Sequence, residues 1–583
     1  MKIKTVKIRN WRSIKEIEII FQDLMMFIGQ NNHGKSNILS ALLFFFGELK
    51  HNESDFFNDA NELSVEIEFY SLDANDKRTF AKYLTSGETI RVIKIAQYDG
   101  SFKYTGYAEI PEDERLQESN APSYTTRETA NTLPFANLLP TTGRLTKQDI
   151  IKAQLQYINQ HRSSLTFTYE MESSNFMGLT SVAKTIFGQV IFIPAIRNIS
   201  DDLSIAKTSP FGVLFTKILE SVASDHAKWS AAENSLKLLF DSLNKFSSDG
   251  NENPERPHSL ISLESQLSDE LNAWGCSVDL EIPKPEITDM IKGNINFWVN
   301  DGTRTLINKK GHGMQRAVTF ALMKTIHKIL NHNSNTEQTG RQASNSLYYI
   351  LEEPELYLHP QAQKMLLDSL QTISNANQVI ICTHSSHLIN LETYKSICIV
   401  RKIHADVGTR IFQYINDIFS GNDKDDFHLS YWVNPDRGEL FFAKKVLLVE
   451  GETDKTIIPY TAKLLDVFKY EYTIIDCGSK DNIPLYIKLL NKFLIPYIAI
   501  YDKDHQSGKG ADAINSADIS TNRIENEIDP QIGSSIVFEN DIEEEIGYSA
   551  GRKSKGFEAL KFISNGTFSM PYKLKGKIEK IYS

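Results

Sequence analysis

Apolar and polar positions alternate with period two through MKIKTVKIRNWRSIKEIEIIF, a pattern that predicts two strands around a turn. DLMMFIG reads as a buried strand entering a glycine loop, and KSNILSALLFFFGEL as the helix leaving it. Between residues 63 and 110 the segments LSVEIEFYSL, TIRVIKIAQY and FKYTGYAEI again predict strands. Residues 111–185 are polar and weakly patterned apart from a helix expected over 147–159, and QVIFIPAIRN predicts a further buried strand over 189–198. The period then becomes helical, in VLFTKILESVASDHAKWSAAENSLKLLFDSLNKF and, after a polar break, in SLISLESQLSDELNAW. These two stretches predict an inserted helical arm, either a surface that pairs with a second subunit or a plain helical subdomain. Strands are expected to resume at CSVDLEI. GHGMQRAVTFALMKTIHKIL, SLYYILEEPELYLHP and QVIICTHSSHLIN follow. A polar stretch over 420–437 reads as a linker, and beyond it KKVLLVEG, EYTIID and YIAIYDKD are short apolar strands between helical patterns, as in a second α/β domain.

Composition narrows the class. At 583 residues the chain exceeds what one hydrophobic core supports. The expected division is a nucleotide-binding α/β domain in two parts, 1–198 and 276–419, a helical insertion at 199–275, a linker at 420–440 and a second α/β domain at 441–583. No apolar run approaches the length of a membrane span, and the first residues lack the apolar core of a leader peptide. Cys276, Cys382, Cys398 and Cys477 are scattered without metal-ligand spacing, so a reduced, cytoplasmic setting is expected. The net charge of −11 argues against a chain coated in nucleic acid but leaves room for one basic track and for clustered acidic metal sites.

The glycine loop carries the first chemistry. Gly29, Gly34, Lys35 and Ser36 fit G-x-x-x-x-G-K-[ST], whose backbone N–H groups cradle the phosphates of ATP. Lys35 is expected to reach the β/γ-phosphates and Ser36 to ligate Mg²⁺. LYYILEEPE ends an apolar strand in two acids: Glu352 for the magnesium shell, Glu353 to orient or deprotonate the attacking water. IICTHSSH delivers His384 to the γ-phosphate side in the same way.

With IRNWRSI and the loop form G-x-N-N-x-G-K-S, which adds Asn31 and Asn32 and runs on into Asn37, these elements resemble the ABC-type ATPase heads of the RecF and SMC group. The resemblance implies that GHGMQR, with Gly313 and Gln315, closes over ATP bound to another subunit, and hence at least a homodimer. Where relatives often carry serine, this chain has His312.

In KKVLLVEGETDK a buried strand ends at Glu450 and Asp454 follows one helical turn later; YIAIYDKD ends a second strand in Asp502 and Asp504. Strand ends of one parallel sheet point the same way, so these acids are expected to converge. Gathered carboxylates need cations, and oxygen ligands select Mg²⁺ or Mn²⁺. E-G-x-x-D followed by D-x-D resembles the Toprim domain, with Gly478 and Lys480 in the intervening turn. An ABC head followed by a Toprim domain resembles the OLD (overcoming lysogenization defect) family of ATP-dependent nucleases. The resemblance implies Asp541 and Glu543 as further metal acids and Lys555 as a catalytic lysine, with Lys553 the alternative. It also implies a part in defence against bacteriophage, alone or with a helicase-like protein or a retron reverse transcriptase and its DNA. The basic residues of 551–583 are a further expected contact for DNA. The function expected is therefore a metal-dependent DNA endonuclease, nicking or cutting both strands, under ATP control. The alternative is a nucleotide-switched DNA-binding scaffold with an inactive Toprim domain. A topoisomerase would need a nucleophilic tyrosine on a further DNA-binding domain, and only a short tail follows the Toprim motifs.

Overall fold

The computed structural model describes residues 1–172, 175–178, 186–195, 211–212, 215, 227–246, 252–254, 256–271, 276, 278–283, 297–332, 344, 346–404, 406–419, 435–505, 509–548, 555–565 and 568–583. The chain divides into two units, residues 1–193 with 338–356 and 360–583, and residues 194–337 with 357–359.

In the first unit, alternate burial builds the first sheet. β1 (Lys2–Trp11) buries Ile3, Val6, Ile8 and Trp11 and pairs antiparallel with β2 (Ile14–Ile20), Val6 opposite Ile19. β4 (Glu62–Tyr70), β5 (Ile90–Gln97), β6 (Phe102–Pro111) and β7 (Phe167–Met171) extend this antiparallel sheet in the order β2-β1-β4-β5-β6-β7.

The second sheet is made of continuous apolar strands. β3 (Leu24–Ile28), β11 (Leu347–Glu352) and β12 (Gln378–Cys382) are buried almost throughout, as strands covered on both faces must be. With β8 (Gln189–Ile193), β13 (Ile397–Lys402) and β14 (Thr409–Gln413) the order is β14-β13-β3-β12-β11-β8, parallel except for β14. Helix α1 (Lys35–Phe45) packs on β1 and β4 of the first sheet and β12 of the second, and nine of its eleven residues are buried. That explains its greasy sequence: a helix covered on both sides has no polar face to keep.

The weakly patterned stretch before β7 has a small core of its own, Leu116, Leu133, Phe135, Leu145 and Ile150 among it. Helix α2 (Lys147–His161) anchors that core, started by a capping box between Thr146 and Asp149.

The third sheet, β16 (Tyr472–Asp476), β15 (Lys445–Val449), β17 (Tyr497–Asp502) and β18 (Gly533–Phe538) in that order, is wholly parallel. β15 and β17 are hydrogen-bonded neighbours, Val449 opposite Ile500, so Glu450, just beyond β15, comes close to the end of β17. The final helix (Tyr572–Ile581) buries Leu574, Ile578 and Ile581 in the core beneath this sheet.

The second unit contains helices α3 (Ala227–Leu243), α4 (His258–Leu271) and α5 (His312–His332) and a hairpin of β9 (Trp298–Asn300) and β10 (Arg304–Leu306). The strand expected at CSVDLEI is absent from the described residues 278–283. Side chains of the helical arm claim that backbone instead: Val278 N donates to Ser268 Oγ, Leu280 N to Glu264 Oε1 and Ile282 N to Asn244 Oδ1. The linker residues 420–434 and the arm residues 199–210 and 216–226 lie outside the described residues.

Candidate active sites

The first site forms where β3, β12 and β11, adjacent and parallel, end along one edge. Gly29 and Gly34 have φ of 143° and 103°, in the region that favours glycine. A Cβ on Gly29 would lie 2.3 Å from the Val400 carbonyl oxygen, and one on Gly34 2.4 Å from Thr409 Oγ1. Asn31, Asn32 and Ser36 are exposed around the loop mouth, Asn32 with a left-handed φ of 62°. Lys35 is buried, and its Nζ donates to the carbonyls of Gly29 (2.9 Å) and Gln30 (3.0 Å). Asn37 is turned away from the loop mouth: its Nδ2 donates to Ser13 Oγ at 2.8 Å, and Ser13 hydrogen-bonds Thr409.

Glu352 ends β11, and Glu353 takes a left-handed φ of 44° while its N–H reaches the Cys382 carbonyl at 2.8 Å. His384 Nε2 lies 3.8 Å from Glu353 Oε1. Burial lowers the pKa of Lys35, while Glu353, Glu355 and Glu352 pull it back up, so the loop lysine sits in the field of all three acids. Burial, with Lys35 adding to it, also lowers that of His384, which favours the neutral imidazole.

The second site lies at the ends of β15 and β17. Glu450 Oε1 accepts the Asp502 N–H at 2.7 Å, joining the two strand ends. Asp454, on the first turn of α6 (Glu452–Leu464), is buried, and its Oδ2 accepts the Gly451 N–H at 3.3 Å. Burial pushes Glu450 up to about 7. Burial and then repulsion from Glu450 and Glu543 take Asp454 to about 7. Asp502 rises to about 9, through burial first and then the charges of Asp454, Glu450, Asp541 and Asp504. Asp502 Oδ1 is buried without a hydrogen-bond partner. An acid-only donor set holding an orphaned buried oxygen suits a hard divalent cation, because leaving such oxygens charged and unpaired is costly. Among the described residues no group of three or more His, Cys, Asp or Glu stands ready-gathered for a metal. Several of the acids have a local donor instead: Asp504 holds Lys509 Nζ at 3.0 Å, and Asp541 caps its helix through the Glu544 N–H at 2.8 Å.

Residues 1–389 match the AAA ATPase domain family, and residues 441–504 match the Toprim domain of overcoming lysogenization defect protein-like chains. The chain belongs to the AAA ATPase domain family and carries, over residues 441–504, a Toprim domain like that of overcoming lysogenization defect proteins. The Old nuclease of Escherichia phage P2 is 25% identical over 468 residues, 79% of this chain and 69% of that protein. The OLD nuclease of Thermus scotoductus is 27% identical over 201 residues, 33% of this chain and 35% of its own length. Endonuclease GajA of Bacillus cereus is 26% identical over 178 residues, 26% of each. The fold class is thus α/β, a P-loop ATPase domain followed by a Toprim α/β domain.

Gly313 and Gln315 occupy the first turn of α5, in the second unit. Gln315 Nε2 donates to the Lys310 carbonyl at 2.8 Å, and the His312 ring packs 4.9 Å from that of Tyr357. Glu543 is buried beside the capping residue Asp541. Lys555 opens the helix Lys555–Ile563, although its side chain, like the whole of Lys553, lies outside the described residues.

Two groups, Glu355 and Asp476, escaped the sequence pattern, and a third, Lys480, was placed in its turn without a role. Glu355, the third acid of EEPE, is buried against the His384 backbone. Asp476 ends β16, and its charge acts on Asp454. Lys480 Nζ donates to the Asp502 carbonyl, and its charge favours the ionised form of Glu450. The signal for Asp476 was present, since EYTIID closes on an acid as KKVLLVE does.

Proposed function

We propose that this chain is a metal-dependent DNA endonuclease whose Toprim site is governed by ATP bound in its head. The carrying observation is the Glu450–Asp502 junction, where two strand ends share a hydrogen bond and leave Asp502 Oδ1 buried and unpaired beside Asp454. Glu450, Asp454, Asp502 and Asp504 are the ligands this reading assigns, with Asp541 and Glu543 completing the acid set. Mg²⁺ or Mn²⁺ held there would supply water activation and charge neutralisation at a phosphodiester. Lys480 fixes the backbone of Asp502 from behind, and Lys555 is the cation assigned to the cleaved phosphate.

In the head, Gly29, Asn31, Asn32, Gly34 and Lys35 receive the ATP phosphates, Ser36 and Glu352 hold the accompanying Mg²⁺, and Glu353 and His384 act on the attacking water. Asn37 supports the loop through its hydrogen bond to Ser13. A physical link between the two sites exists within the first unit. Val400 lies against Gly29, and the next residue, Arg401, donates from Nη1 to the Leu494 carbonyl at 3.0 Å, three residues before β17 begins. The nucleotide state of the loop thereby has a route to the strand that ends in Asp502.

A homodimer follows from assigning Gly313 and Gln315 to a partner's ATP. The exposed Leu238 and Leu239 of α3 and Ile261, Leu263 and Leu267 of α4 support pairing through the arm. Among the described residues no helix is long and apolar enough to cross a membrane. The setting proposed is cytoplasmic defence against bacteriophage, alone or with a helicase-like or retron reverse transcriptase partner.

One observation favours the rival reading, an ATP-switched DNA-binding scaffold: the acids are not ready-gathered around a metal position. The deciding experiment is DNA cleavage with Mg²⁺ or Mn²⁺, with and without ATP, for the wild type and Lys35→Ala. Cleavage whose rate depends on ATP only in the wild type supports the proposal. Equal rates in all four reactions remove ATP control, and no cleavage in any favours the scaffold.

A further inference from the structure

We propose that Glu355 is a positioning residue for ATP hydrolysis, holding the His384 backbone so that the imidazole stays set against Glu353. The inference rests on reading Glu353 and His384 as the hydrolytic pair. β11 and β12 are paired only as far as Glu352 opposite Cys382, and beyond that register the ladder no longer locates the two loops. Two cross-links take over. The Glu353 N–H reaches the Cys382 carbonyl at 2.8 Å, and Glu355 Oε1 accepts the His384 N–H at 2.7 Å.

The left-handed turn at Glu353 makes the second link possible, since it sends Pro354 and Glu355 back into the core, where Glu355 is only 8% exposed. Among the other bonds that hold the loop carrying His384 are those of the Thr383 N–H to the Phe27 carbonyl (3.1 Å) and of the Ser385 N–H to Thr383 Oγ1 (3.0 Å). Neither bond touches the His384 peptide N–H. The Thr383 side chain, one residue before His384, also favours the ionised Glu355, so the buried carboxyl is directed at the loop that carries the imidazole. A buried acid turned on the backbone of the neighbouring loop is placed to act as a positioning device.

The test measures ATP turnover, ATP affinity and thermal midpoint for Glu355→Ala, Glu355→Gln, Glu355→Asp, His384→Ala and the Glu355→Ala/His384→Ala double variant, with Glu353→Gln as reference. Glu355→Ala should lower kcat roughly tenfold to a hundredfold with ATP affinity within about twofold of wild type, the effect of a misplaced catalytic group. Glu355→Gln, which keeps an acceptor oxygen at the His384 N–H, should recover most of that loss. Glu355→Asp, too short to reach the amide, should behave like alanine while keeping the carboxylate, which separates positioning from a folding defect. The double variant should turn over no more slowly than His384→Ala alone. Wild-type kcat in Glu355→Ala, or additive losses in the double variant, would overturn the proposal while leaving the head's ATPase intact. Full turnover in Glu353→Gln would instead sink the hydrolytic pair and the positioning role with it.

Discussion

Glu353 and Asp502 illustrate how a side chain's surroundings decide its chemistry. Glu353 is half-exposed at a strand end, 3.8 Å from a histidine kept neutral by burial and by Lys35. Removing its charge in Glu353→Gln should slow ATP hydrolysis by roughly 10²-fold or more while nucleotide still binds, as loss of a general base does. Steady-state hydrolysis beside equilibrium ATP binding measures that split. Asp502 and its neighbours make a prediction about pH. Glu450 and Asp454 titrate near 7 and Asp502 near 9 in the folded chain, all well above ordinary carboxylates, so the folded state binds more protons than the unfolded one. Their contribution is complete below the unfolded values of about 4 and is lost as pH rises through 7 to 9. In EDTA, wild type should therefore lose thermal stability relative to Asp502→Asn between pH 5 and 9, and Mg²⁺ should reverse the difference. Melting curves with a constant gap between the two proteins across that range would contradict the shift. Glu450 and Asp502 were legible in the sequence because each closes an apolar strand, and Asp454 because it follows on the first turn of the next helix. Glu355 was not, because its role depends on a left-handed turn at Glu353 that no residue pattern announces.

Among the elements, strand–loop–helix units were the most legible, since their apolar runs and glycines carry both burial and backbone conformation. Gly29→Ala tests this for the phosphate loop. Its φ of 143° and the Val400 carbonyl 2.3 Å from the added Cβ leave alanine no unstrained fit. A loss on the order of 1–3 kcal/mol of stability and of ATP binding should follow, read by denaturant titration and nucleotide affinity. Unchanged affinity would mean that the loop has another conformation available. Other elements were less legible. The small core around Phe135 hid in short polar turns with no period to read. CSVDLEI had a strand's alternation, but Ser268, Glu264 and Asn244 satisfy its backbone in place of a ladder, a tertiary choice that local pattern does not encode.

At the scale of the molecule, the proposed coupling runs from the phosphate loop to the cluster of acids through one strand and one arginine. Arg401→Ala should leave ATP hydrolysis near the wild-type rate and shrink the effect of ATP on cleavage, which paired ATPase and cleavage assays would read out. A variant with full ATP control would place the coupling elsewhere. The order of domains was legible because each brings its own motif. Whether the helical stretches pair with a second subunit was not, because an apolar helical face looks the same whether a second copy or the chain itself covers it. The most direct test of the whole account is cleavage of supercoiled plasmid in Mg²⁺ or Mn²⁺ by wild type and Asp502→Ala. The account predicts nicked or linear product from the wild type and none from the variant. Equal cleavage by both, or none by either while ATP is still hydrolysed, would contradict it.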